Sequence, residues 1–147
     1  TALLRRLDEA WQDGELSVEQ SIHALSEEEA NFVPVEKTRS IRELLVDLTT
    51  TKIVSTKRCF ANQQVQADDM LPPSRWRKFL RWVTDGHEGF RKPVGFLKDG
   101  QLEETRLMFE DTLSLKQIIE ANIKHDLYHA REIKSLREVY QKMQKQS

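Results

Sequence analysis

The chain has 147 residues, with 23 Lys and Arg against 24 Asp and Glu, and apolar residues at 38% beside charged residues at 32%. That length suits one domain, residues 1–147, with a core large enough to need no disulfide staple, and Cys59, the single cysteine, excludes an internal one and fits a reducing compartment. A net charge of −1 provides no overall basic field for phosphate backbones, and no apolar run reaches membrane-spanning length, so a cytoplasmic protein with neither nucleic-acid nor membrane partners is expected.

Five glycines and four prolines are too few for a strand-and-turn fold and favour long helices. Leu3, Leu4, Leu7 and Trp11 recur at helical spacing until Asp13-Gly14 breaks the pattern, and Ser17 to Gln20 matches a capping box with Val18, Ile22 and Leu25 continuing beyond it. The first helical arm is therefore predicted to be interrupted around residues 12 to 17. Ser26 heads Glu27-Glu28-Glu29, carboxylates suited to the positive end of a helix, before Pro34 and a polar loop stop it.

A second capping box, Ser40-Ile41-Arg42-Glu43, opens a helix with Ile41, Leu44, Leu45 and Leu48 on one side, predicted to run to about residue 62. Pro72-Pro73-Ser74 marks the entrance of the next helix, where Trp76, Phe79, Leu80, Val83, His87, Phe90 and Val94 repeat every three or four residues. The basic run Arg75 to Arg81 reads as its solvated face, and Gly86, Gly89 and Pro93 are candidates to kink or end it. Residues 98–113 allow two readings, an extended Arg106-Leu107-Met108-Phe109 or irregular chain over the helices. Ser114-Leu115-Lys116-Gln117 is a third capping box, and its helix is predicted to reach about residue 142. An interrupted first helix and three long ones describe an all-α, antiparallel four-helix bundle.

The last helix holds the most informative pair, His125 and His129. A step of four rotates a helical side chain by only about 40°, so both imidazoles leave one face about one turn apart. At about 100° per residue, Leu115, Ile118, Ile119, Ile133, Leu136 and Tyr140 form the inward stripe, and Asn122, His125, Asp126 and His129 fall within it. A buried polar group without a partner costs on the order of 1–3 kcal/mol, so the cluster must be internally satisfied, hydrated or bound to something. A metal site and a closed hydrogen-bond network pairing His125 with Asp126 or Asp47 both meet that demand. The Ser40 helix carries a matching polar interruption at Lys52 and Ser55, with Asp47 at the stripe's edge. His87 reads as a satisfied core or rim histidine, and His23 as a surface one.

Ser40-Ile41-Arg42-Glu43-Leu44-Leu45-Val46-Asp47-Leu48 and His125-Asp126-Leu127-Tyr128-His129 together resemble the DinB-like (DinB/YfiT) superfamily of bacterial metal-dependent four-helix bundles, and the stretch from Trp11 to Ala30 is similar to that family's opening. The resemblance implies a DinB-like bundle in which a histidine of the second helix joins the last-helix pair around one metal ion. Asp47 occupies that histidine's position, so the implied set is Asp47, His125 and His129, a two-histidine, one-carboxylate combination that leaves coordination positions open. Arg131-Glu132 stands where relatives often carry Gly-Gln.

What the resemblance implies for function is a divalent-metal-dependent enzyme, a thiol transferase using a low-molecular-weight thiol or a hydrolase, with zinc, nickel, iron or manganese as the ion. In that scheme Asp126 orients an imidazole, and Lys52 and Asn122 contact the substrate or thiol. Related bundles often form homodimers. The alternative expectation is a binding or interaction bundle whose metal site has degenerated.

Overall fold

The computed structural model describes residues 1–34 and 38–146 and is mostly helical. Helix α1 spans Ala2–Asp8 and widens into a π-helical turn, Glu9–Asp13. Two short helices follow, α2 at Val18–Ser21 and α3 at Glu27–Asn31, and then α4 at Ile41–Cys59, α5 at Trp76–Gly95 and α6 at Leu115–Lys145. A two-stranded antiparallel hairpin, β1 at Thr105–Met108 and β2 at Asp111–Ser114, precedes α6, so the molecule is not purely helical.

Side-chain hydroxyls set the helix starts. Ser17 and Ser26 each accept from the backbone amide three residues on, and the Ser40–Glu43 and Ser114–Gln117 boxes close reciprocally. The first arm breaks where expected: Gly14 N–H donates to Glu9 O at 2.9 Å, and a β-carbon on Gly14 would lie 2.7 Å from that same oxygen. Helix α4 ends at Cys59, short of the expected residue 62, whereas α6 runs slightly beyond 142. The Pro34 stop agrees with α3 ending at Asn31; the polar loop predicted beyond it falls partly on residues 35–37, outside those described.

Helix α5 continues through Gly86, Gly89 and Pro93. Gly86 serves close approach, because a β-carbon there would meet Thr49 Cγ2 of α4 at 2.7 Å. Residues 98–113, open to two readings, include the hairpin, with Arg106 paired to Leu113 and Met108 to Asp111. Its two-residue loop starts at Phe109, whose φ of 57° is the left-handed conformation a tight hairpin turn demands.

Helix α4 packs against both α5 and α6, and α1 contacts the same two. One apolar cluster gathers Trp11, Leu44, Leu45, Leu48, Phe79, Val83 and Ile133, and another gathers Leu3, Leu7, Phe90, Val94, Ile119 and Ile123. A third, of Cys59, Leu115 and Ile118, lies under Met108 and Leu113 of the hairpin. Each fully buried Leu or Phe contributes about 1.5–3 kcal/mol. Polar side chains interrupt all three long stripes between the first two clusters: Lys52 on α4, His87 on α5 and Asp126 on α6 are each buried.

Ion pairs tie the short elements to this frame. Arg137 of α6 donates to both Glu29 carboxylate oxygens, at 3.0 and 3.1 Å, and to the carbonyls of Ser21 and His23. Arg91 of α5 forks onto Asp8 of α1 at 2.7 and 3.0 Å. No helix among the described residues is long and apolar enough to cross a membrane.

Candidate metal centre

Asp47 of α4 faces His125 and His129 of α6, and one ligand atom from each lies within 4.8 Å of the others. Asp47 Oδ2 is 2.9 Å from His125 Nε2 and 2.7 Å from His129 Nε2. The imidazoles stand edge to face with centroids 4.4 Å apart, as a four-residue helical step dictates. His129 is buried, while His125 and Asp47 are partly open to solvent at 26% and 37% side-chain exposure, so the site has a closed floor and an accessible rim.

The polar stretch of α4 that reaches this point needs little from outside. Thr49 donates to Leu45 O at 2.8 Å, Thr50 to Val46 O at 2.8 Å, Ser55 to Thr51 O at 2.9 Å and Thr56 to Lys52 O at 2.7 Å. Hydroxyls bonded back to their own helix are what let a Thr/Ser-rich face sit against α5 and α6.

Burial pushes the Asp47 carboxyl up, but its hydrogen bonds with His129 and His125 outweigh that and hold it below the usual carboxylate range. Burial pushes His125 down, against the opposing pull of Asp47, and the neighbouring His129 adds to the lowering. The result is an ionised carboxylate beside a neutral imidazole whose ring nitrogen can offer a lone pair. Arg39 approaches the same Asp47 oxygen at 3.5 Å from the solvent side.

The second ring nitrogen of His129 is engaged by a residue the sequence reading did not select. His129 Nδ1 lies 2.5 Å from Glu132 Oε1, three residues further along α6. A carboxylate at Nδ1 favours the tautomer that carries its proton there and directs the Nε2 lone pair toward Asp47 and the shared ligand position. The signal for Glu132 in the sequence is its place three residues after His129, on the same face of α6.

Asp126 and Lys52 take a role different from the expected one. The Lys52 ammonium donates to Asp126 Oδ1, and both side chains are enclosed, at 1% and 0% exposure. Burial dominates both groups, lowering the Lys52 pKa and raising that of Asp126. Asp126 therefore orients Lys52 rather than an imidazole, and Lys52 presents no free ammonium to an anionic ligand. The Lys52 Nζ also lies 4.9 Å from the centroid of the Trp11 ring, whose other close partner is His87, stacked at 4.0 Å and 3°. His87 is a core residue as expected, yet neither ring nitrogen has a hydrogen-bond partner among the described residues, and burial drives its pKa down to about 2. His23 is exposed.

Asn122, the remaining candidate, is buried one turn before Asp126, and its amide donates to Ser55 Oγ at 3.2 Å and to Ile118 O at 2.9 Å. A cleft of about 310 Å³ is bordered by His125 and Asn122, and another of about 560 Å³, lined by Arg39, Tyr128 and Glu132 but by neither histidine, lies further along α6. Comparison with known protein families, with curated proteins and with solved structures gave no match.

Proposed function

We propose that this chain is a divalent-metal-dependent enzyme of DinB-like type, a thiol transferase or hydrolase, with α1, α4, α5 and α6 as the arms of an antiparallel four-helix bundle. The observation that carries this reading is the convergence of Asp47, His125 and His129 from two helices. The residues fit an ion: two imidazole nitrogens and one carboxylate oxygen point at one another, and Glu132 fixes the tautomer of His129 that leaves Nε2 free to ligate. Zinc, nickel, iron and manganese all accept this donor set, and the carboxylate favours the harder ions.

A bound divalent ion supplies Lewis acidity, which makes a thiol or a water acidic near neutral pH. The chain's own part is to hold three donors in place and to exclude water from one side. His129 forms the buried floor, Asp47 brings the negative charge that balances a cation, and His125 stands at the open rim. The cleft beside His125 gives a small substrate or a low-molecular-weight thiol room to approach.

A second reading is a non-catalytic binding bundle, and the observation favouring it is Arg39, 3.5 Å from Asp47 Oδ2, which already supplies a positive charge to that carboxylate. Metal analysis of protein purified without chelator separates the two. The enzyme reading expects about one equivalent of divalent metal per chain, lost in His129→Ala and bound about 10- to 100-fold more weakly in Glu132→Gln. Absence of metal under every loading condition would sink it.

A further inference from the structure

The cleft of about 560 Å³ lies between the entrance of α4 and the middle of α6, within the range of about 300–1,000 Å³ usual for small-molecule sites. Leu44 and Leu136 give it an apolar lining, and Tyr128 and Arg131, three residues apart, share the face of α6 that borders it. Arg39, the residue before the Ser40 cap, lines it from the α4 side. The Arg39 side chain is 47% exposed and Arg131 is exposed, so a molecule in the cleft can reach both guanidinium groups.

What sets this cleft apart is how little its cations are engaged. Arg39 makes one ion pair, with Asp47 Oδ2 at 3.5 Å, and no hydrogen bond among the described residues; Arg131 makes neither. The cleft of about 750 Å³ beside the hairpin also has two arginines, but Arg106 donates to Cys59 O and Thr105 O, both at 2.9 Å, and Arg58 lies over the Phe109 ring. The cleft beside His125 has no lysine or arginine at all. Among the described residues Glu132 is the one carboxylate lining the Arg39–Arg131 cleft, and its Oε1 is engaged with His129 Nδ1. Two guanidinium groups against one committed carboxylate leave the cleft net positive, and the guanidinium fork matches the paired oxygens of a carboxylate or phosphate.

We propose that this cleft binds a small organic anion, its carboxylate or phosphate held between Arg39 and Arg131 and its apolar body set on Leu44, Leu136 and the Tyr128 ring. The proposal rests on the metal reading only in making that anion the substrate, since Arg39 and Glu132 connect the cleft to Asp47 and His129; its binding requires no ion. It narrows the substrate class to organic acids and phosphate esters over neutral molecules.

The test titrates the full chain with benzoate, phenyl phosphate and benzyl alcohol, followed by NMR of the Leu44 and Leu136 methyl groups and the Tyr128 ring. Protein freed of metal by chelator and then desalted is compared with zinc-loaded protein, and the arginine dependence is read in the former because zinc can itself hold an oxyanion. At least one of the two anions, which thereby names the acid group, is expected to bind about tenfold more tightly than benzyl alcohol at low salt. Most of that preference disappears at about 1 M salt. Arg39→Gln and Arg131→Gln each remove it, with thermal midpoints within a few degrees of wild type because neither side chain is buried. Arg81→Gln, exposed on α5 outside the cleft, leaves it intact. Benzyl alcohol binding as tightly as both anions, or an anion preference that survives in either cleft variant, would overturn the proposal. Arginine-dependent anion binding in protein that takes up no zinc supports it while the metal reading fails; zinc uptake without any anion preference overturns it and leaves the metal reading standing.

Discussion

Two acid–base clusters join α4 to α6, built from similar residue types less than two helical turns apart, and they behave oppositely. Asp47 meets two imidazoles at a rim where it stays 37% exposed, and its carboxyl is held below the usual range. Asp126 meets Lys52 in the interior at 0% exposure, and its carboxyl is pushed above that range. Asp126 has the more strongly cationic partner, a lysine ammonium, yet it is the carboxyl that rises, so solvent access makes the difference. A carboxylate that keeps part of its hydration can serve as a ligand, whereas an enclosed ion pair is fully occupied with compensating its own desolvation. The half-open cluster is therefore the one that could hold a metal ion, and the closed one ties α4 to α6.

The largest effect is expected at the closed cluster. Asp126→Ala strands the Lys52 amine in the core and should cost about 3–5 kcal/mol in urea unfolding. A cost no greater than that of Asp47→Ala would break the contrast.

His87 offers the next test. Burial, reinforced by the charges of Lys52 and Arg91, depresses its pKa to about 2, so the folded state keeps the ring neutral while the unfolded chain takes up a proton below about pH 6.5. Stability from this group is intact above that pH and declines on acidification toward about pH 2, by a little over 1 kcal/mol per unit. His87→Phe keeps a ring on Trp11 and removes that dependence. Between pH 7 and pH 4 the variant should therefore gain about 3 kcal/mol relative to the wild type. Parallel stability curves for the two proteins would show that His87 is accessible to protons, and with it the polar layer.

The smallest effect belongs to the open cluster: in metal-free protein, Asp47→Ala should change stability by less than about 1 kcal/mol, because the group is partly solvated. A loss comparable to that of Asp126→Ala would make the rim structural as well.

Much of this arrangement could be read in the chain. The boxes at Ser40 and Ser114 marked the starts of α4 and α6, and helical projection turned Asn122, Asp126 and His129 inward. The candidate ligand set Asp47, His125 and His129 followed from spacing, projection and the DinB-like resemblance together, and the structure brings those three residues together. Partner choice inside the cluster was not legible, because it depends on the rotation of α4 against α6: that rotation gives Asp126 to Lys52 and leaves His129 Nδ1 to Glu132. The hairpin was obscure for a different reason. Its turn uses Phe109-Glu110 in place of Asn-Gly, so no local signal separated it from irregular chain. The reason for a glycine at 86 within α5 likewise lay in the proximity of Thr49, which the sequence alone does not show.

The most direct test of the account is the thermal midpoint of wild type and Asp47→Ala, each with chelator and with a saturating divalent ion such as zinc or manganese. Binding to the folded state alone stabilises by about 3 kcal/mol at a hundredfold excess over the dissociation constant, which raises the midpoint by roughly 6–12 °C in a chain of this size. The account expects that rise in the wild type and its loss in Asp47→Ala, with the two metal-free midpoints within a few degrees. An equal rise in both proteins, or none in the wild type, would contradict it.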